Sequence, residues 1–237
     1  MSSRLSPRPA AVFWEGVRDG TPFIVMVGPF ALLFGVVAAE LGLSLAETLG
    51  FSTLVIAGAA QFATLELLDA GAPVSVAVGT GLAVNLRMAL YSASLVPFFG
   101  RAPLRHRAWI AYALVDQVYA LALLRFQGRE EPQGARLAYY AGAAAPICGI
   151  WILACALGAQ AQSTVAAVPG LDFAVPLTFL AMVTPMLKDR PSAAAAVVAT
   201  GLAILGHELP LNSGMLLAAA GGMVTGALLE ALGEAHG

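Results

Sequence analysis

Charge is scarce in this sequence: 11% of its 237 residues are Asp, Glu, Lys or Arg, against roughly a quarter in ordinary soluble chains. With 59% hydrophobic residues and a mean hydropathy of +0.82, that scarcity excludes a soluble globular domain. The net charge of −2 shows no basic excess and argues against nucleic acid as a partner. Cysteine is nearly absent. Cys148 and Cys155 stand seven apart in one apolar segment, two helical turns from each other and too far for a disulfide, so they read as small packing residues. His106, His207 and His236 are scattered and form no ligand cluster, so neither metal nor cofactor is expected. His207-Glu208 lacks the second histidine of a zinc-protease helix. Glu130 and Glu131 lie in a charged loop beside Pro132. There is no nucleophile elbow and no phosphate-binding glycine loop, so neither an enzyme nor ATP hydrolysis is expected.

What the chain does have is long apolar runs. Gly20–Ala39, Thr48–Leu65, Ala70–Leu86 and Leu137–Leu171 carry no charge at all. A bilayer crossing takes about 20 residues. These runs predict an all-α, polytopic integral membrane protein with about seven or eight transmembrane helices, some broken by proline or glycine. Candidate segments run over about 21–40, 48–68, 73–99, 108–126, 137–159, 171–187, 191–207 and 211–229. The run from Leu137 leaves room for a span and a polar turn near Gln160–Ser163. The sixth and seventh segments are short, and Pro176, Pro185 and Pro191 predict broken or re-entrant elements there.

Trp14, Glu15, Arg18 and Asp19 interrupt the place where a signal peptide's apolar core would follow Arg4 and Arg8. Residues 1–20 are therefore expected as a cytoplasmic N-terminal arm, 21–230 as the transmembrane transport domain and 231–237 as a C-terminal tail. With eight spans and both ends inside, Arg4, Arg8, Arg18, Arg125, Arg129, Arg136, Lys188 and Arg190 fall inside. Arg101, Arg105 and Arg107 then fall outside, against the positive-inside tendency. Gly16/Gly20 and Gly222/Gly226 are small-xxx-small pairs, read here as tight helix packing within one subunit.

One charge sits where none should. Arg87 is the lone charged residue of Ala72–Gly100, and a guanidinium at mid-depth costs at least about 2.5–3.5 kcal/mol on insertion scales. Helical spacing puts Thr80, Arg87, Tyr91 and Ser94 on one face, with Asn85 roughly opposite. Asn85 and Arg87 could share a site only through a distorted backbone, which Gly79 and Gly81 favour. The next segment answers with Asp116 at the centre of Ala108–Leu124, on a face with Trp109, Tyr112 and Tyr119. Opposite charges at mid-depth on consecutive segments predict a buried pair. Either it only locks two helices, or Arg87 takes a substrate carboxylate while Asp116 takes an ammonium group or a proton. Gln61 could hydrogen-bond a neighbouring helix or line a pocket. Glu66, Asp69, His207-Glu208 and Asn212 read as interface or surface groups.

The residues Gly16…Gly20-Thr-Pro22, Gly28-Pro29-Phe30, Phe34-Gly35 and Ala57-Gly58-Ala-Ala-Gln61-Phe62 resemble blocks of the AzlC family. So do Asn85-Leu86-Arg87-Met88-Ala89-Leu90-Tyr91-Ser92, its best-marked block, and Val115-Asp116-Gln117-Val118-Tyr119-Ala120. The family comprises large subunits of branched-chain amino acid permeases and exporters. Met88 stands where it often has histidine and Gln117 where it often has glutamate, which puts proton handling at those two positions in doubt. The resemblance implies a secondary transporter that exports valine, leucine or isoleucine, with methionine as a further candidate, and a small hydrophobic AzlD-type partner subunit. It also implies a multi-pass place in a bacterial cytoplasmic membrane. Gradient energy, from protons or potential, follows from the want of any nucleotide motif. On this reading Arg87, Asn85, Asp116, Gln61 and Tyr91 bind substrate. The alternative is a non-transporting assembly or sensor subunit, in which Arg87 and Asp116 form only a structural ion pair.

Overall fold

The computed structural model describes residues 9–165, 180, 187, 189–207, 209 and 213–234. Most of the segment expected over 171–187 lies outside the described residues, as do Arg4, Arg8, Pro176, Pro185, Lys188, Glu208, Pro210, Asn212 and His236. Every element among the described residues is helical, as an all-α membrane protein requires. The chain falls into two units, 1–62 with 81–168 and 63–80 with 169–237.

In the first unit, α1 (Pro9–Gly20) runs through a 3₁₀ turn (Thr21–Phe23) into α2 (Ile24–Glu40). Together they make a 32-residue apolar helical stretch, long enough to cross a membrane. Residues 9–20 are helical. They pack on α9 (Gln133–Val165), whose Gln133–Ala161 part is also long and apolar enough to cross. The turn expected near Gln160–Ser163 does not form. The helix continues, and Gln160 Nε2 donates back to the Ala156 carbonyl at 3.2 Å.

The two stretches lie parallel and almost backbone to backbone. A Cβ at Gly16 would collide with the Tyr139 carbonyl, one at Gly142 with that of Phe13, and one at Gly35 with that of Cys155. Small residues allow this approach, which supplies packing where no hydrophobic effect between helices operates. Gly16 and Gly20 therefore serve packing within the chain.

Two further helices follow. Ser44 and Glu47 open α3 (Leu45–Leu54) with a reciprocal capping box, and the Ser44 hydroxyl and N–H hold Glu47 below the usual carboxylate range. The chain breaks at 55–57 before α4 (Gly58–Asp69). Phe51 before the break and Phe62 after it both pack edge-on to fully buried Phe34, at 5.7 and 5.5 Å. Each such pair contributes about 0.5–1.5 kcal/mol beyond its area. Up to Phe62, then, the chain turns back along α2.

The third expected span is also interrupted. It comprises α5 (Val74–Val84) and α6 (Leu86–Phe99) with Asn85 between them, 26 residues in all. Asn85 donates its N–H to Gly81 and accepts from Met88 at the carbonyl, closing one helix and opening the next. The distortion expected there is present.

The fourth segment differs from expectation. It is not one helix over 108–126 but a pair, α7 (Leu104–Tyr112) and α8 (Asp116–Phe126), split at Ala113–Val115. Extended backbone at Val115 (φ −111°, ψ 160°) reverses the chain. Going up α6, Arg87, Tyr91, Ser94 and Phe98 meet Asp116, Tyr119, Tyr119 and Phe126 in turn. The helices α6 and α8 are therefore parallel, and α7 must run back between them. The fourth segment is a re-entrant hairpin whose two ends lie at one face.

Several contacts gather at that face. Arg125 binds Glu15 (2.7 Å) and Glu131 (2.9 Å). Tyr139 donates to Asp19 at 2.8 Å, and the Arg136 guanidinium lies 5.4 Å over the Phe98 ring. Arg101, Arg105 and Arg107 thus share a face with Arg125, Arg129 and Arg136 instead of lying opposite them.

Breaking a helix orphans its last carbonyls, and two tyrosines take them up. Tyr112 donates to Thr53 at 2.7 Å and buried Tyr140 to Ile110 at 2.9 Å.

In the second unit, Thr64 Oγ1 donates to the Ala77 carbonyl at 3.4 Å. There α10 (Arg190–Leu205), capped by Asp189, packs on α11 (Ser213–Glu234). At Gly222 a Cβ would come 3.0 Å from that of Ala199, so the second small-residue pair also serves packing inside the chain.

Candidate functional site

The break at Asn85 places Arg87 in the first turn of α6, near the midpoint of the 26-residue stretch. The break at 113–115 makes Asp116 the first residue of α8. The two meet: Arg87 Nη1 lies 3.1 Å from Asp116 Oδ2, with side chains 27% and 38% exposed. Neither is sealed in a core, so the pair is reachable. One turn on, the Tyr91 and Tyr119 rings stack 4.1 Å apart and 8° from parallel. Ser94 Oγ is 3.0 Å from the Tyr119 hydroxyl, and Tyr91 also interacts with Asp116.

The pair leaves capacity unused. Arg87 Nε, Asp116 Oδ1 and Asn85 Oδ1 are shielded atoms without hydrogen-bond partners, an arrangement that asks for an explanation. Electrostatics says what they would accept. Parallel α6 and α8 bring two helix N-termini to one place, each worth about +0.5 charge. Arg87 and Asp116 cancel each other, and the C-termini of α5 and α7, which end at the same two breaks, offset the charge of the N-termini. The first-turn N–H groups of α6 and α8 and the free Arg87 Nε can donate to an anion, while Asp116 Oδ1 remains an acceptor for a cation or donor.

Of the expected site residues, Arg87, Asp116 and Tyr91 come together. Asn85 forms the break that positions Arg87. Gln61 sits in the first turns of α4, fully buried, with neither amide atom hydrogen-bonded, and so makes no bond to that cluster. The expected face of Trp109, Tyr112, Asp116 and Tyr119 does not exist, because the break divides it. Trp109 packs on Tyr140, Tyr112 bonds Thr53, and only Asp116 and Tyr119 face α6. Tyr119 and Ser94 belong to the cluster but stood outside the expected set, although each lies one helical turn from a member. Among the described residues no group of three or more His, Cys, Asp or Glu could hold a metal ion, and Cys148 and Cys155 are free thiols.

The model of the AzlC protein family matches residues 22–165, a stretch that includes the whole Arg87–Asp116 site. The chain belongs to the AzlC family. Among relatives, the inner membrane protein YgaZ of Escherichia coli (strain K12) is 36% identical over 121 residues, and that match spans 49% of each chain, about half the length of YgaZ. An uncharacterized membrane protein of Archaeoglobus fulgidus is 30% identical over 215 residues, 89% of this chain and 92% of that one. Another, from Helicobacter pylori (strain J99), is 31% identical over 113 residues, 46% of this chain and 49% of its own. No solved structure matches. This AzlC-family chain is a multi-pass membrane protein.

Proposed function

We propose that this AzlC-family protein is a secondary transporter subunit that exports branched-chain amino acids across the bacterial cytoplasmic membrane. The cargo would be valine, leucine or isoleucine, with methionine as a further candidate. One observation carries the reading: a reachable Arg87–Asp116 pair at the joined N-termini of two half-helices. A zwitterion fits that pair. Its carboxylate goes to Arg87 and the first-turn N–H groups of α6 and α8, and its ammonium to Asp116. Tyr91 and Asn85 flank this position. Gln61 contributes its unpartnered amide when the site is occupied, and the exposed Leu86 and Leu90 leave apolar surface next to it. Discontinuous helices whose N-termini point at anionic groups are a recurrent device in transporters. The face that gathers Arg18, Arg101, Arg105, Arg107, Arg125, Arg129 and Arg136 is cytoplasmic by the positive-inside rule. The driving force is a proton or potential gradient, and a small AzlD-type subunit completes the exporter.

The deciding experiment loads cells with valine-containing dipeptide and follows valine efflux. Arg87→Ala, at normal expression and insertion, should cut efflux about tenfold or more, as loss of a charge-assisted hydrogen bond of about 1.5–3 kcal/mol implies. Efflux at the wild-type rate would falsify the assignment. A second reading has its own support, because the pair is already formed at 3.1 Å. It could serve only to lock α6 to α8 in a non-transporting assembly or sensor subunit.

A further inference from the structure

A groove separates α6 from α7, on the side of α6 away from the cargo site. It encloses about 450 Å³, and its walls include Ser92, Leu95 and Phe99 on α6 and Leu104, Arg107 and Ala111 on α7. Small residues hollow it out: Ser92, Gly100, Ala108 and Ala111 stand where larger side chains would fill it. Its rim faces outward, with Val96 58% and Leu104 72% exposed. Apart from Ser92 and Arg107 every lining side chain is apolar.

Arg107 is the informative member. It lies at the end of the groove that meets the basic face, it is exposed, and among the described residues it makes no ion pair. Arg101 lies in the short stretch between α6 and α7, and Arg105 in the first turn of α7. An apolar slot at membrane depth, closed at its interfacial end by an unpaired cation, has the charge and polarity of a phospholipid with a negative headgroup. We propose that this groove binds an anionic phospholipid, its acyl chain lying between α6 and α7 and its phosphate on Arg107. Basic pockets between membrane helices bind such headgroups.

Native mass spectrometry of the full chain in detergent tests this. The protein is titrated with palmitoyl-oleoyl phosphatidylglycerol and, in parallel, with phosphatidylethanolamine carrying the same chains. Phosphatidylglycerol should be retained about fivefold more tightly, the discrimination one basic residue supplies. Arg107→Gln should abolish that preference and Arg107→Lys keep it. Ala111→Phe, which fills the groove, should weaken both lipids. Soluble glycerol phosphate at the same concentration should displace neither. Equal retention of the two lipids by the wild type overturns the proposal, as does a preference that survives Arg107→Gln. Undiminished binding after Ala111→Phe, or displacement by glycerol phosphate, equally overturns it, because the acyl chain would then not lie in the groove.

Discussion

The Tyr112 hydroxyl donates to the Thr53 carbonyl at 2.7 Å. Tyr112 is the last residue of α7 and Thr53 the penultimate residue of α3, so the bond ties together two elements at the points where each breaks. In an unbroken α3 that carbonyl would accept from Ala57, but the chain leaves the helix first. At membrane depth no water replaces the lost partner.

Tyr112→Phe removes the donor and little else. A carbonyl left unpaired out of reach of water costs about 1–3 kcal/mol, so the thermal unfolding midpoint in detergent should fall measurably. Export should change more than folding does if these two ends separate during transport. A variant with unchanged midpoint and unchanged efflux would show that the bond matters to neither.

Topology gives a sharper prediction. Single cysteines at Arg105 and Arg129 should be labelled by a membrane-impermeant maleimide from the same side of the membrane. A cysteine at Glu47 should be labelled from the opposite side. Labelling of positions 105 and 129 from opposite sides would restore a full crossing by the fourth segment and remove the hairpin.

The ion pair can be interrogated by exchange. Arg87→Asp combined with Asp116→Arg rebuilds a bridge but moves the cation to the start of α8. If the pair acts on cargo, the double variant should fold with near-normal stability and fail to export valine. Restored export would identify the pair as a lock between α6 and α8.

The parallel helices predict a contrast between two glycines on α9. Gly142→Ala places a Cβ against the Phe13 carbonyl and should destabilise by at least about 1–3 kcal/mol, the range for overpacking. Gly149 has open space around the same atom, so Gly149→Ala should be neutral or gain up to about 1 kcal/mol from helix propensity. Thermal unfolding of the two variants side by side checks both.

Much of this was legible in the residues. The buried charges at positions 87 and 116 stand out because hydrocarbon depth tolerates few ionisable groups, and their pairing follows from adjacency in the chain. The bend at Asn85 follows from the need to bring it and Arg87 to one site. The hairpin was not legible. Between Pro103 and Gly128 there is no glycine or proline, and helical periodicity reads straight through Ala113–Val115. That turn is made by tertiary contacts, namely α7 against Tyr140 and α8 against α6, which no local pattern encodes. The one hint was the Arg101–Arg107 cluster, which any scheme that lets the fourth segment cross parts from Arg125, Arg129 and Arg136. At Gln160–Ser163 the error ran the other way: polar residues suggested a turn, but the helix already established by packing on α2 carries through them.

The closed contact between Arg87 and Asp116 also bears on voltage. Moving one elementary charge through a membrane potential costs or yields about 2.3 kcal/mol per 100 mV. If the chain is the exporter proposed above, the guanidinium and carboxylate neutralise each other, and the vacant protein can reset between turnovers without dragging a net side-chain charge along the field. Any electrogenic work is then confined to the loaded half of the cycle.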